Sequence, residues 1–161
     1  MTVTYDVDLS DIDELNRRLA QYPRMVGEVM QPAMSRSVML LAGNVKRETP
    51  VYQGRLRSSI GGRVESLGGN VRGTVYTNLV YGPPVEMGRE PGSFPPVEPL
   101  KRWAHLVLGD ESLGFVVARA IFRRGTQGRY MFAKGLERSL NAIRSHFARA
   151  LRELVQKLAG N

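Results

Sequence analysis

Acid–base or metal chemistry would need histidines and carboxylates at close spacing, and this chain offers few candidates. His105 and His146, its two histidines, fall in different helical segments, and neither has a second ligand at metal-binding spacing. Asp11, Asp13 and Glu14 are close together, but they fall in the first turn of a helical segment, where the helix dipole favours carboxylates. We therefore predict no catalytic residue, no metal site and no cofactor.

Nucleophilic and phosphate-binding chemistry are also unsupported by the sequence. The chain has no cysteine, which excludes thiolate catalysis, disulfides and cysteine-based zinc sites. Ser58 and Ser59 have no neighbouring base, and the segment GRLRSSIGG lacks the GxxxxGK[ST] spacing of a phosphate-binding loop. Glu86 and Glu90 stand in a proline-rich segment without the second acid that general acid–base catalysis would need. The sequence favours a binding or structural role over an enzyme.

The charge balance indicates acidic or polyanionic partners. The chain carries 23 Lys and Arg against 15 Asp and Glu, a net charge of +8, with a pI near 10.3. An acidic protein surface, nucleic acid or a charged channel would suit such a protein, although excess charge also serves solubility. The pairs Arg17-Arg18 and Arg123-Arg124 favour phosphate contacts. Aromatic residues make up only 7%, and helix-turn-helix and zinc-finger spacings are missing, so binding to phosphate backbones stays open as an alternative.

Length and hydropathy favour a single domain. The chain has 161 residues, of which 42% are hydrophobic, which is enough for one core. The segment MTVTYDVDLSDIDEL lacks the basic and apolar regions of a signal peptide. No run reaches the ~18 apolar residues of a membrane span. We expect a soluble protein without membrane contacts.

Helix and strand signals divide the N-terminal third. Residues 2–9 alternate apolar and polar side chains, as a strand does, and a helix is predicted from there to Tyr22. The next apolar side chains follow helical spacing as far as Thr49-Pro50, where the proline stops the helix. Pro32 is expected either to kink this segment or to begin a new helix within it.

The segment after Pro50 predicts a β-hairpin. Leu56, Ile60 and Val64 would share one face of its first strand, which is either broken or bulged at the two glycines that follow Ile60. Gly54 would turn the chain into this strand. The turn SLGGN and the alternating segment VRGTVYTNLVY would complete the hairpin.

Residues 81–99 hold six of the chain's nine prolines. Such a segment predicts an ordered surface loop without regular secondary structure. Phe94, which is flanked by small residues and prolines, would be the apolar anchor of this loop in an interface. Packing of Phe94 on its own subunit is the competing interpretation.

Three helical segments are predicted over residues 100–158. In the last of them, apolar residues recur at spacings of 4, 4, 3, 4, 4, 3 and 4 over the range 132–158, which makes a narrow apolar seam. Such a helix packs within its own subunit or forms an oligomer interface. We predict the first arrangement, with Leu140, Ile143 and Phe147 buried.

Three sequence blocks occur in the order found in a known family: TPVYQGRLRSSI, VRGTVYTNLVYGPPVEMG and RRGTQGRYMFAKGLE. Together they resemble the tail-completion and neck proteins of long-tailed bacteriophages, also called minor tail components. Gln53 and Arg89 depart from the family's pattern, and the third block lacks its prolines. The matching residues are Thr49, Pro50, Gly54, Leu56, Arg57, Ser59 and Ile60, then Tyr81, Val85, Glu86 and Gly88, then Gly125, Thr126, Phe132, Leu136 and Glu137.

The resemblance implies an α+β fold, with an antiparallel hairpin packed by long amphipathic helices. It also implies a non-enzymatic virion protein at the neck or tail top, in a ring that joins the tail to the head connector. Its partners would be connector, tail-terminator or tail-tube proteins and further copies of the chain, with DNA only as cargo passing the channel. It would be found in the host cytoplasm during assembly and then in the virion. The single domain would span residues 1–161, with a strand and helices over 1–49, the hairpin over 50–80, the proline-rich loop over 81–99 and helices over 100–158.

Arginines are the main candidates for contacts in such a ring, because a guanidinium group binds a carboxylate through two parallel hydrogen bonds. Arg55 and Arg57 would lie on the open face of the first hairpin strand, and Arg63 and Arg72 near the hairpin tip. An ordinary solvated surface and the wall of a DNA channel are the competing placements. The interface candidates are Arg55, Arg57, Phe94, Arg123, Arg124 and Arg129.

Overall fold

The computed structural model describes residues 23–67 and 70–159. Helices and two small antiparallel sheets share one domain, which confirms the α+β class. The strand and helix predicted between residues 2 and 22 lie outside the described residues. In chain order the elements are α1 (Pro23–Glu48), α2 (Arg55–Ser59), β1 (Gly61–Leu67), β2 (Asn70–Tyr76), α3 (Gly82–Met87), β3 (Gly88–Arg89), α4 (Val97–Leu108), α5 (Leu113–Arg124), β4 (Thr126–Gln127) and α6 (Met131–Ala159).

Helix α1 is one 26-residue element that continues through Pro32, so no new helix begins at that proline. It ends at Glu48, as the Thr49-Pro50 pair predicts. Lys46 and Arg47 lie in its last turn, where positive charge is favourable beside the carbonyl ends of the helix.

Helices α1 and α6 pack antiparallel and form the helical part of the core. Ile143 and Phe147 share a buried cluster with Val26, Val29 and Met30 of α1, so their predicted burial within the subunit is confirmed. The long last helix therefore uses its apolar seam mainly for the fold of its own chain.

The first half of α6 packs through smaller side chains than its apolar seam indicates. Leu140 is only half-buried, so its predicted burial was wrong, and the neighbouring Ser139 is buried instead. One turn earlier, a Cβ added to Gly135 would lie 2.8 Å from the Val45 nitrogen. Because glycine and serine allow the backbones of α1 and α6 to approach closely, Gly135 and Ser139 lie between the two helices. Leu140 then lies partly outside the contact.

The β1–β2 hairpin lies on α1. Its strands pair continuously from Gly61 opposite Tyr76 to Leu67 opposite Asn70, so of the two predicted alternatives a break, and not a bulge, occurs where β1 begins at Gly61. A Cβ on Gly62 or on Gly73 would collide with the side chain of Val38, so these glycines allow both strands to lie directly on the helix. The hairpin is thereby anchored on the face of α1 that α6 leaves free.

Residues 55–59 form the short helix α2, so the prediction of a strand beginning there was wrong. Gly54 adopts the left-handed conformation, with φ at 73°, and its carbonyl accepts a hydrogen bond from the Ser58 N–H. Leu56 and Ile60 are both buried. Residues four positions apart lie on the same face of a strand, and they also lie on the same face of a helix. The left-handed turn at Gly54 favours the helix.

The prediction that residues 81–99 have no regular structure was wrong for most of the segment. Pro83 and Pro84 lie at the start of α3, where a missing N–H costs no hydrogen bond. Helix α4 already begins at Val97, so only residues 90–96 remain irregular. In the segment between α3 and α4, β3 pairs with β4.

Helices α4 and α5 form a helical hairpin, here called the arm (residues 97–124), which packs mainly on itself. The β3–β4 ribbon joins both ends of the arm to the rest of the domain. The helices cross through the small buried residues Ala104, Gly114 and Ala118. A Cβ on Gly114 would lie 2.6 Å from the Lys101 backbone, so this glycine sets the closeness of the crossing.

Candidate interaction surfaces

The three sequence blocks meet at one junction in the core. Leu56 from the first block is buried in one cluster with Phe132 from the third, and Val85 from the second packs against that cluster. Leu136 packs instead against the neighbouring cluster between α1 and α6. The family-motif residues therefore hold the subunit together where α1, α3 and α6 converge.

Glu86 is the buried polar group of this junction, with only 4% of its surface exposed. Its carboxylate accepts hydrogen bonds from the backbone N–H groups of Phe132, at 2.9 Å, and Ala133, at 3.2 Å. These groups belong to the first turn of α6, whose N–H donors have no partner within the helix. A carboxylate there satisfies the donors and faces the positive end of the helix dipole. Glu86 thus caps a helix that begins 45 positions later in the sequence.

Thr49 and Arg57 close the opposite end of α1. The Thr49 hydroxyl donates to the Val45 carbonyl at 2.7 Å, and the Nε of Arg57 donates to the Lys46 carbonyl at 2.9 Å. Both carbonyls lie in the last turn of α1, where carbonyl groups lack partners within the helix. Arg57 therefore has a structural role within the subunit, and Arg55 beside it is exposed.

The glycines of the second and third blocks shape the ribbon below the arm. Gly88 has φ at 86°, and a Cβ there would collide with the Thr126 carbonyl oxygen. Gly125 has φ at 69°, and a Cβ there would collide with the Arg89 carbonyl oxygen. The two strands can pair this closely only because both residues lack a side chain. These glycines therefore fix the point at which the arm leaves the rest of the domain.

The arginine candidates lie on separate elements of the structure. Arg55 and Arg57 are on α2 and not on the hairpin, so that part of the prediction was wrong. Arg63 and Arg72 are on the hairpin, where Arg63 lies over the Tyr76 ring at 5.8 Å and its Nε is 3.5 Å from Glu65. The remaining candidates are at the base of the arm: Arg123 and Arg124 in the last turn of α5, and Arg129 between β4 and α6.

Phe94 is part of an aromatic cluster on the surface of the arm. Its ring centroid lies 5.9 Å from that of Phe115 and 5.8 Å from that of Phe122, both on α5. All three side chains are substantially exposed. Sequence reasoning singled out Phe94 but missed its two partners, although their spacing of seven residues places them on one face of a helix.

His146 lies at the edge of the α1–α6 contact, with its Nδ1 3.1 Å from the Ser37 hydroxyl. Burial lowers the pKa of His146, and the positive charges of Arg149 and Arg36 lower it further. His105 is exposed on the arm. Within residues 23–67 and 70–159, no group of three or more His, Cys, Asp or Glu side chains is placed to hold a metal ion.

The lowered pKa of His146 predicts a loss of stability in mild acid. The unfolded chain takes up this proton at a higher pH than the folded chain, so stability should fall as the pH drops through the ordinary histidine range towards the folded pKa. We expect His146→Gln to reduce the change in urea midpoint between about pH 7.5 and about pH 5. An unaltered pH dependence in His146→Gln would contradict this assignment.

A groove of about 630 Å³ runs along the β3–β4 ribbon. Its walls include Arg89, Glu90, Thr126, Gln127 and Tyr130. Tyr130 adopts a left-handed backbone conformation, with φ at 54°, just before α6. The groove is open, and its lining is mixed in polarity.

The motif residues pack within the domain itself, and three exposed phenylalanines, Phe94, Phe115 and Phe122, lie together on and beside the arm. Residues 13–88 match the family described as "Bacteriophage HK97-gp10, putative tail-component". This match, over just under half of the chain, confirms the resemblance to phage tail proteins.

The family match ends at Gly88, the first residue of β3. It therefore includes the first two sequence blocks, while the arm and α6 lie beyond it. No curated protein and no solved structure matches the chain. None of the helices in the described part of the chain has the length and hydropathy that a membrane crossing requires.

Proposed function

We propose that this chain is a non-enzymatic structural protein that completes the neck or tail top of a tailed phage. It joins the tail to the head connector through protein–protein contacts, as one copy in a ring, and DNA passes the ring as cargo. Its neighbours are connector, tail-terminator or tail-tube proteins. It assembles in the host cytoplasm and remains in the virion. The family match over residues 13–88 is the observation that carries this proposal.

The arm supports an assembly role. Phe115 and Phe122 of the arm form an exposed aromatic cluster with Phe94 of the preceding loop, and the arm contributes little to the α1–α6 core. Monomeric proteins rarely expose contiguous apolar patches, and aromatic side chains are enriched where proteins bind one another. A structural protein that meets its partners during assembly would present such a patch.

A complementation experiment tests this role. Host cells infected by a phage that lacks this gene would receive the wild-type chain or a variant from a plasmid. The proposal expects separate heads and tails in electron micrographs without the chain, and joined particles that contain it when the wild-type chain is supplied. Normal joining in its absence would refute the proposal.

Arg55→Glu is expected to weaken head–tail joining while leaving the fold intact. Arg55 is exposed, and single exposed charges contribute at most about 1 kcal/mol to stability. Arg57→Glu is the matched comparison, because it also removes the hydrogen bond to the Lys46 carbonyl and should lower the free energy of unfolding. Joined particles that eject DNA abnormally would place Arg55 at the channel and contradict an interface role.

Binding to nucleic-acid backbones remains the alternative function. Arg144, Arg149 and Arg152 are exposed along α6, and among the described residues none of them forms an ion pair. If they bind duplex DNA, the affinity should fall by roughly 0.9 log units per log unit of salt for each phosphate neutralised. Tight binding of free duplex by a monomer, with this salt dependence, would favour the alternative over the neck role.

A further inference from the structure

The outer part of the arm, here called the arm tip (residues 103–118), differs in charge from the rest of the chain. It contains no lysine or arginine, although the whole chain has 23. Its charged residues are Asp110 and Glu111, in the turn between α4 and α5. Hydrogen bonding from the Ser112 hydroxyl, and from the Ser112 N–H to the Oδ1 of Asp110, lowers the pKa of the Asp110 carboxyl group. The arm tip is therefore acidic in a basic protein.

The same tip exposes large apolar side chains. Leu106 is 63% exposed and Val116 is 59% exposed, and Val107, Leu108 and Phe115 are also exposed around the two carboxylates. They face outward because the helix crossing uses small residues. Two helices of 12 residues each that bury so little apolar surface gain little stability from one another. Burial against a partner would stabilise them.

A surface of opposite character lies on the outside of the α1–α6 pair. His146 of α6 meets α1 here, with its Nδ1 3.1 Å from the Ser37 hydroxyl, and Arg36 of α1 and Arg149 of α6 are both close enough to lower its pKa. Met39, three residues from Arg36 on the same side of α1, is 75% exposed. Arg152 extends the surface along α6. The basic face is defined here by Arg36, Met39, Arg149 and Arg152.

Within the described part of the chain, no ion pair balances the positive charge of the basic face. Arg149 donates a long hydrogen bond to the Ser145 carbonyl, and among the described residues none of its three arginines forms an ion pair. The Lys101 ammonium near the arm tip, by contrast, is already paired with Glu98 at 2.8 Å. Glu111 also acts on Lys101, but neither Asp110 nor Glu111 forms an ion pair among the described residues. The arm tip and the basic face are therefore complementary in sign.

We propose that the arm tip of one copy docks on the basic face of a second copy of this chain. The proposal rests on the ring of the proposed function, and it names the surfaces that build that ring. Contact between two basic faces would be repulsive, whereas a tip-to-face contact pairs Asp110 and Glu111 with Arg36 and Arg149 and covers the exposed leucine, valine and methionine side chains. Because the two surfaces are different, each copy keeps one free tip or face for the next copy. Such head-to-tail contacts form a ring where the rotation between neighbouring copies closes, as the proposed function requires.

Charge exchange between the two surfaces tests the docking. Asp110→Lys with Glu111→Lys reverses the tip, and Arg36→Glu with Arg149→Glu reverses the face. Either pair alone should weaken self-association by about tenfold or more, measured by sedimentation of the purified chain at low salt. All four substitutions in one chain should restore it, and so should an equimolar mixture of the two singly reversed variants. Circular dichroism would establish that each variant is folded. Failure of both rescues in folded variants would overturn the proposal.

Disulfide cross-linking locates the contact in assembled particles, because the chain has no cysteine of its own. Glu111→Cys in one set of copies and Arg149→Cys in another should form a covalent dimer on oxidation. Lys134→Cys is the matched control, since it is exposed on the same helix about 22 Å from position 149 at 1.5 Å per residue. It should give no dimer with Glu111→Cys.

The outcomes separate this inference from the proposed function. A dimer with Arg149→Cys and none with Lys134→Cys supports the docking. Joined particles that contain the chain but show no tip-to-face dimer, or in which Glu111→Cys links to another virion protein, overturn the docking and leave the neck role standing. Joined particles without the chain refute the neck role itself.

Discussion

Phe147→Ala is expected to lower the free energy of unfolding by about 3–5 kcal/mol, the range found for buried aromatic side chains truncated to alanine. Phe147 is 6% exposed and shares one buried cluster with residues of α1 and α6. The truncation removes apolar surface from the contact between the two longest helices, and neither helix can close the space without losing its other contacts. Urea unfolding followed by circular dichroism measures the change.

Phe115→Ala is the matched control for this prediction. It makes the same chemical change in a helix, but Phe115 is 55% exposed and its described ring contact is with Phe94. An aromatic pair of this kind contributes about 0.5–1.5 kcal/mol, so the loss of stability should be much smaller. If the two variants were equally destabilised, the α1–α6 contact would not be the main source of stability. Phe115→Ala should instead impair self-association, because Phe115 lies in the arm tip.

Glu86→Ala is expected to cost about 1.5–3 kcal/mol of folding free energy, the usual range for hydrogen bonds to a buried charged group. The substitution leaves the N–H groups of Phe132 and Ala133 without their carboxylate at the start of α6. It also removes negative charge from the positive end of a 29-residue helix. Thermal and urea unfolding should both show the loss.

Glu90→Ala is the comparison that separates capping from a simple change in net charge. Glu90 is exposed and lies only four residues after Glu86, so its removal alters the charge equally but leaves α6 capped. We expect an effect within about 0.5 kcal/mol for this surface position. Glu86→Gln should fall between the two, because an amide oxygen can still accept one hydrogen bond. Equal stability of Glu86→Ala and Glu90→Ala would show that the cap contributes little.

The strand predicted for residues 55–64 shows where local pattern is insufficient. Apolar residues at positions 56, 60 and 64 have a spacing of four, which satisfies both the two-residue period of a strand and the near-four-residue period of a helix. The choice depended on Gly54, whose left-handed conformation begins a helical turn, and on the packing of Leu56 in the core. The hairpin itself was predicted, but its first strand begins later than expected.

The sequence by itself determined the features that depend on nearby residues. The end of α1 at Thr49-Pro50, the burial of Ile143 and Phe147 along the last helix, and the phage-tail resemblance carried by the blocks were all readable from it. Proline geometry, helical periodicity and motif spacing depend on residues close together in the sequence, so they can be predicted from the sequence alone.

Only the tertiary structure decided what joins distant parts of the chain. Glu86 caps a helix that begins 45 positions later. The backbone at Val45 leaves no room for a side chain at position 135, and the ribbon pairs Gly88 with Gln127, on the two sides of the arm. It also separated the acidic arm tip from the basic face, which composition shows only as a net charge of +8. Such contacts depend on which surfaces pack together in the folded chain. The pattern of neighbouring residues in the sequence does not specify which surfaces these are.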